Sequence, residues 1–512
     1  MFEPKTTRPF NAGDVRGRSG QCPNWVVVHK KKAPEIKLFE KGDGTGRPFR
    51  KAQEYVLAKL REVWHLDNKP IVILGQTGLG KSMLARTIQI ESDAAIVTPQ
   101  NALISQYLED YPELNYWWGK AHFKCHPTGI HLADCAYTQN RLKAINHQHT
   151  IFNPMSLYYL KRAVRNLKPH STVIIDEAHA VLSMLRNLSV REFDVSDEVA
   201  PHKLEVTYNF REWLEKKLAH AREMYEAYCV EDETAKMKTW YNKIRIFDNL
   251  LHGINEADES YSIKYHPKTE KLEVQCTWLP QHIVENTFGN GRKILMSGTI
   301  FKPDLLELLN TDEYHLIEPP SAIPKENRKI LYQPLPFKVN YMTDRRKLAY
   351  FINCLLDKYA KSHRTIIHLP YSWVEEISAG LNRPSVILHD KTNKEYALAK
   401  FKKQKGGVLL ACGMAEGIDL KGDLCRLNII PKILWPNLKD DFVEKKSRQG
   451  SEGRLWYLLE AAKTVIQQAG RSTRGPEDWS TTIIMDPSFD RLITQCGEHL
   501  PYTFLEALQL HQ

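Results

Sequence analysis

Residues 71–90 read IVILGQTGLGKSMLARTIQI. The opening IVIL is a short β-rich apolar run, and KSMLARTIQI continues as a helical stretch. Between them lie Gly75, Gln76, Thr77, Gly78, Leu79, Gly80, Lys81 and Ser82. Glycines let backbone N–H groups turn inward and wrap phosphates, and the helix that follows adds partial positive charge at its N-terminus. In such a loop the lysine reaches the β- and γ-phosphates and the serine hydroxyl ligates Mg²⁺. The expectation is an ATP site with Lys81 on the phosphates and Ser82 on Mg²⁺.

Working outward, short apolar runs recur: AIV (95–97), TVII (172–175), KILM (293–296), RTIIHL (364–369), VLLA (408–411) and TTIIM (481–485), separated by helical stretches. That rhythm predicts an α/β fold of parallel sheets built from strand–helix–strand units. It breaks between residues 182 and 275. There Phe210, Leu214, Leu218, Ala221 and Tyr225 keep helical spacing, as do Trp240, Ile244, Phe247 and Leu251, with acidic VEDET (230–234) between them. Two amphipathic helices joined by a turn are expected, inserted into the first α/β domain.

Asp176-Glu177-Ala178-His179 follows TVII directly. An acid at the end of a buried strand is where a phosphate-loop enzyme needs its Mg²⁺ partner, so Asp176 is assigned to the metal. Glu177 is the natural base for the attacking water, and His179 would couple the site to the neighbouring domain. Further on, EAAKTVIQQAGRSTRG (460–475) reads as a helix stopped by Gly475. Gln467, Arg471 and Arg474 fall at i, i+4 and i+7, on one face, and the two arginines could reach the γ-phosphate across a cleft.

The 512-residue chain carries 71 Lys and Arg against 61 Asp and Glu, a net +10 that fits a polyanionic partner without demanding one. No apolar run approaches the roughly 20 residues needed to span a bilayer. The N-terminus lacks a signal-peptide core, so an intracellular, cytoplasmic chain with no membrane partner is expected. Residues 1–45 are basic and turn-rich and read as an N-terminal extension.

Together these motifs resemble the superfamily 2 helicases, and within them the XPD/DinG-like branch. RPFRKAQ (47–53) looks like the adenine-reading segment, with Gln53 as its glutamine. VTPQ (97–100), with Gln106, is similar to the motif that touches the nucleic-acid backbone. MSGTI (296–300) stands where the family has Ser-Ala-Thr, with Gly298 replacing the alanine, and PYS (370–372) resembles its fourth motif. The stretch 407–436, with Glu416-Gly417-Ile418-Asp419 at its centre, looks like the branch's fifth motif, and Gln467, Gly470, Arg471 and Arg474 like its sixth. IIMDPSFDRL (483–492) is similar to the strand that follows.

The resemblance implies two RecA-like phosphate-loop domains, here 46–181 with 276–330, and 331–512, with ATP and Mg²⁺ between them. It makes 182–275 an arch-like insertion and 107–145 a reduced cluster-type insertion. It puts Gln53, residues 75–82, Asp419 and Gln467 on the nucleotide. It further implies 5′→3′ movement on single-stranded or forked DNA, with RNA left open. The oligomeric state is open as well, a monomer being consistent with the sequence. A translocase that does not unwind, and a non-catalytic nucleic-acid-binding subunit, are the rival expectations.

One departure stands out. Most branch members bind an iron–sulfur cluster on four cysteines between VTPQ and the Asp176 motif, whereas of the nine cysteines here only Cys125 and Cys135 lie in that segment, so a cluster is not expected. His126 and His131 lie between them and leave a zinc site conceivable, against a shortened metal-free loop. Tyr116, Trp117, Trp118, His122 and Phe123 beside Lys120 and Lys124 form either a base-stacking platform or part of the core.

Overall fold

The structure is a computed structural model. It describes residues 38–510 apart from 77, 120–121, 124–134, 148, 164–169, 199, 231–232, 254–259, 361–362, 391, 405, 415–419, 421, 471–472 and 474. Five strands open the first lobe: β1 (Ile71–Leu74), β2 (Ala94–Val97), β3 (Asn115–Tyr116), β4 (Thr150–Phe152) and β5 (Thr172–Asp176). Three belong to the insertion: β6 (Arg191–Asp194), β7 (Tyr261–His266) and β8 (Lys271–Cys276). The chain then returns with β9 (Arg292–Ser297) and β10 (His315–Ile317). The second lobe holds β11 (Arg328–Tyr332), β12 (Thr365–His368), β13 (Val386–Ile387), β14 (Val408–Ala411), β15 (Leu427–Ile430), β16 (Ser480–Ile484) and β17 (Leu508–Leu510).

Each lobe is built on a seven-stranded sheet, ordered β10-β1-β9-β5-β2-β4-β3 and β13-β14-β12-β15-β16-β11-β17. Every pairing in both is parallel. Parallel sheets are covered on both faces, which is why these strands read as continuous apolar runs. Ile71, Val72 and Ile73 have no exposed surface. Alternate residues of β1 feed opposite cores: Val72 packs with the cluster that includes Phe152 and Leu295, and Ile71 and Ile73 with the one that includes Leu84 and Ile96.

The boundaries differ in detail from those expected. The helix Ala178–Asn187 buries Val181, Leu182 and Leu185 in the first lobe's core, so the excursion starts after it. The insertion is not purely helical. Its long helices, Thr207–Val230 and Thr234–Gly253, stand on an antiparallel sheet ordered β6-β8-β7. The two helices carry the apolar stripes read from the sequence, but Ile263, Leu272 and Val274 of the small sheet complete their core. The chain expected to leave the first sheet at residue 107 stays on it. Tyr107, Tyr111 and Leu114 are buried, and β3 pairs with β4. Tyr116 and Trp117 are 7% and 5% exposed, which makes them core. Arg328–Tyr332 pairs with β16, so the second lobe begins at residue 328.

Candidate nucleotide site between the lobes

In the first sheet β1, β9 and β5 are neighbours, and each ends in a motif: 75–82 after β1, Ser297-Gly298-Thr299 after β9, and Glu177 to His179 after β5. Loops at the carboxyl ends of parallel strands are where such sheets bind ligands. A cleft of about 1030 Å³ opens there, lined by Lys81, Ser82, Asp176 and Glu177 from one lobe and by Gln467 and Gly470 from the other. Gln100 and Gln106 line it as well.

The phosphate loop is held by its own lobe. Gly80 has φ +80°, a left-handed conformation that favours glycine, and a Cβ there would fall 2.4 Å from Gln53 Nε2. That amide donates to the Gly80 carbonyl at 3.3 Å, while Gln53 Oε1 accepts the Arg50 N–H at 2.8 Å. Gln53 is thus bound to the loop and the turn before its own helix, and it is 2% exposed. Arg50, not singled out in the sequence, donates to the Gly78 carbonyl at 2.6 Å. Lys81 Nζ lies 3.0 Å from Glu177 Oε1 and 3.4 Å from the Gly75 carbonyl.

Glu177 adopts φ +51°, a strained choice for a residue with a side chain, and such strain concentrates at functional sites. Asp176 is buried. Its Oδ1 accepts the Glu177 N–H at 3.0 Å and its Oδ2 accepts the Tyr107 hydroxyl at 2.9 Å. Burial, and then the neighbouring Glu177 charge, push the Asp176 carboxyl above the usual carboxylate range, while Lys81 opposes them. Two adjacent acids that repel each other beside one lysine, with a serine hydroxyl in the same cleft, are an all-oxygen donor set suited to a hard cation. These residues fit Mg²⁺ carried by a nucleotide.

From the second lobe Gln467 reaches across the site. Gln467 Nε2 lies 3.0 Å from His179 Nε2 and donates to Thr299 Oγ1 at 3.3 Å. His179 Nδ1 is 2.8 Å from Ser297 Oγ, which also accepts the Thr299 N–H at 3.1 Å. With Nδ1–H donating to Ser297, Nε2 is the lone pair that the Gln467 amide needs. That tautomer is the one in which the Gln467 amide donates to the ring. Motifs from β5, β9 and the Gly450–Ala469 helix are thereby tied together across the cleft.

A second interlobe contact escaped the sequence reading. Glu307 receives Arg186 at 2.5 and 3.1 Å and Lys446, from the other lobe, at 2.6 Å. Lys446 also sits 3.8 Å from the Trp278 ring centroid, and Lys463 lies 3.2 Å from Asp304. No periodicity signals pairs so far apart in the chain.

Thr77, Asp419, Arg471, Arg474, Cys125, His126, His131, Lys120 and Lys124 lie outside the described residues. Thr473 and Gly475, which flank Arg474, line the cleft. Cys135 caps the helix Ala136–Asn146, its sulfur accepting the Thr138 N–H at 3.4 Å. Among the described residues no helix is long and apolar enough to cross a membrane.

A phosphate loop on one parallel sheet, faced across a cleft by a second such sheet, defines a phosphate-loop nucleoside-triphosphatase with two RecA-like domains. The DEAD/DEAH box helicase family matches residues 50–200 and the helicase C-terminal domain family residues 359–504. An XPD helicase structure superposes over 91% of this chain and 100% of its own, at TM-score 0.57 and 15% identity. S. tokodaii Xpd4 covers 90% and 100%, at TM-score 0.55 and 15% identity. The Fanconi anemia group J protein homolog of Gallus gallus is 32% identical over 107 residues, 18% of this chain; the match spans 8% of that protein's length. The chain belongs to the DEAD/DEAH box helicases, with a helicase C-terminal domain in its second half, and its two-lobed fold is that of the XPD structures.

Proposed function

We propose that the protein is a DNA motor that couples ATP hydrolysis between its lobes to 5′→3′ movement along single-stranded DNA and to separation of forked duplexes. The observation that carries the reading is the Gln467 bridge from the second lobe to His179 and Thr299 of the first, beside the phosphate loop. A residue so placed makes lobe closure sensitive to what fills the cleft, and differential affinity of a ligand for two arrangements is what drives a conformational cycle.

The phosphates of ATP draw Lys81 off Glu177, and the freed carboxylate accepts a proton from water as that oxygen bonds to the γ-phosphorus and the bond to the β–γ bridging oxygen breaks, leaving ADP and phosphate. Ser82 and Asp176 would hold Mg²⁺, which when bound offsets negative charge on the β- and γ-phosphates. Arg471 and Arg474 are assigned to the γ-phosphate from the second lobe, and Asp419 to the nucleotide through the branch's fifth motif. Direction, the choice of DNA and strand separation rest on the family resemblance.

The test is ATP turnover by the purified chain with and without single-stranded DNA, with RNA in parallel, followed by 5′- and 3′-tailed duplexes. Stimulation by DNA and unwinding from a 5′ tail are expected. Lys81→Ala and Glu177→Gln should abolish turnover and keep strand binding. Turnover in the double variant, or stimulation by RNA alone, would overturn the site or the track respectively.

A further inference from the structure

The helix Asn101–Asp110 and the turn after it carry two tyrosines at i, i+4, each with its hydroxyl on the carboxylate of a distant segment. Tyr107 donates to Asp176 Oδ2 at 2.9 Å and Tyr111 to Asp43 Oδ2 at 2.8 Å. The two rings lie 6.3 Å apart, and Tyr107 is 1% exposed. The terminal torsion of an aspartate is broad, so one hydrogen bond leaves its plane free to rock. Asp176 has a donor on each oxygen, the Glu177 N–H on Oδ1 and the Tyr107 hydroxyl on Oδ2, and that pair fixes the plane. Mg²⁺ requires oxygens near ideal octahedral positions at roughly 2.0–2.1 Å and tolerates little misalignment.

We infer that Tyr107 is a positioning residue whose hydroxyl holds Asp176 in the orientation a nucleotide-borne Mg²⁺ requires, and so sets the metal dependence of nucleotide binding. This rests on the reading of Asp176 as a metal ligand given above. Tyr107 touches neither nucleotide nor metal in this role. Hydrogen-bond partners of ligating groups typically tune metal affinity by roughly 10- to 100-fold.

Tyr111 supplies the control, because it buries the same kind of bond one helical turn away on a carboxylate outside the cleft. The experiment is a fluorescence titration of methylanthraniloyl-ATP into the full chain at stepped Mg²⁺ concentrations and in EDTA, with thermal melting alongside. Tyr107→Phe should raise the Mg²⁺ concentration for half-maximal tight binding by about tenfold or more, leaving affinity in EDTA at the wild-type value. Tyr111→Phe should lower the melting temperature with no change in the Mg²⁺ midpoint. A wild-type midpoint in Tyr107→Phe, or the same shift in both variants, overturns the inference. Wild-type protein whose nucleotide affinity ignores Mg²⁺ overturns the reading of Asp176 itself, and the role of Tyr107 with it.

Discussion

Replacing Gln467 by alanine removes both hydrogen bonds that the second lobe sends to His179 and Thr299, at 3.0 and 3.3 Å. His179 and Thr299 are 8% and 6% exposed, so water is a poor substitute partner. Each bond is worth about 0.5–1.5 kcal/mol net, so the closed arrangement loses about 1–3 kcal/mol. Read as coupling between nucleotide binding and closure, that is roughly a 5- to 150-fold loss. Each lobe has a core of its own that Gln467 does not enter, although Phe301 of the first lobe packs into a cluster of the second, so melting should stay as in the wild type. The assay is lobe closure on adding a non-hydrolysable ATP analogue, followed by energy transfer between dyes on the two lobes, together with the apparent KM for ATP. Gln467→Ala should need 5- to 150-fold more analogue for half-closure. His179→Ala should act through the same link, so the double variant should be little worse than either single one. Additive losses, or wild-type closure in Gln467→Ala, would refute the bridge.

Gly298→Ala tests how tightly the β9 loop abuts the phosphate loop: its Cβ would come 3.1 Å from the Gly75 carbonyl oxygen, so one loop must shift by a few tenths of an ångström. Displacements of 1 Å cost about 100-fold in rate, so ATP turnover lowered roughly three- to tenfold is expected, with single-strand affinity unchanged. Trp117→Ala separates core from stacking platform: loss of about 3–5 kcal/mol in urea unfolding with strand affinity preserved is expected, and weakened strand binding at full stability would reverse the assignment. Lys446→Met concerns pH. Burial, and then the Arg186 charge, push the Lys446 ammonium down to about 7 from an ordinary 10.5. The unfolded chain therefore holds that proton over a range where the folded one releases it, and stability rises with pH between about 7 and 10.5. The wild type should gain in urea midpoint relative to Lys446→Met between pH 7 and pH 9, and parallel midpoints would count against the shift.

The parallel α/β fold was legible because buried parallel strands leave continuous apolar runs, and IVIL, TVII and VLLA need no long-range information to be read. The phosphate loop was legible for a related reason: all its chemistry sits within Gly75 to Ser82, where spacing along the chain is spacing in the fold. The hairpin of β7 and β8 was missed beneath the insertion's helices because its alternation is weak. Tyr265 and His266 stay half-exposed while Ile263 and Ser262 are buried, so side chains of both faces mix polar and apolar character. Tyr116 and Trp117 could not be placed from sequence, since an aromatic cluster has the same composition whether it packs inward or stacks bases; pairing of β3 with β4 puts their neighbourhood on the sheet.

The contacts that make two lobes into one site carry no local signature at all. Tyr107 meets Asp176 across 69 positions, Gln467 meets His179 across 288, and Lys446 meets Glu307 across 139. Such partners are set by the strand order that brings β1, β9 and β5 side by side and by the path of the Gly450–Ala469 helix along the first lobe. That helix places Lys463 on Asp304 and Gln467, one turn further, on His179. A rigid rise of about 1.5 Å per residue links the two contacts, so pulling the lobes straight apart at the Gln467 end would also pull the buried Lys463 pair apart. Breaking a buried ion pair leaves an uncompensated charge and is strongly unfavourable. Rotation of the lobes about the Asp304–Lys463 and Glu307–Lys446 contacts, rather than separation at them, is the movement this geometry permits.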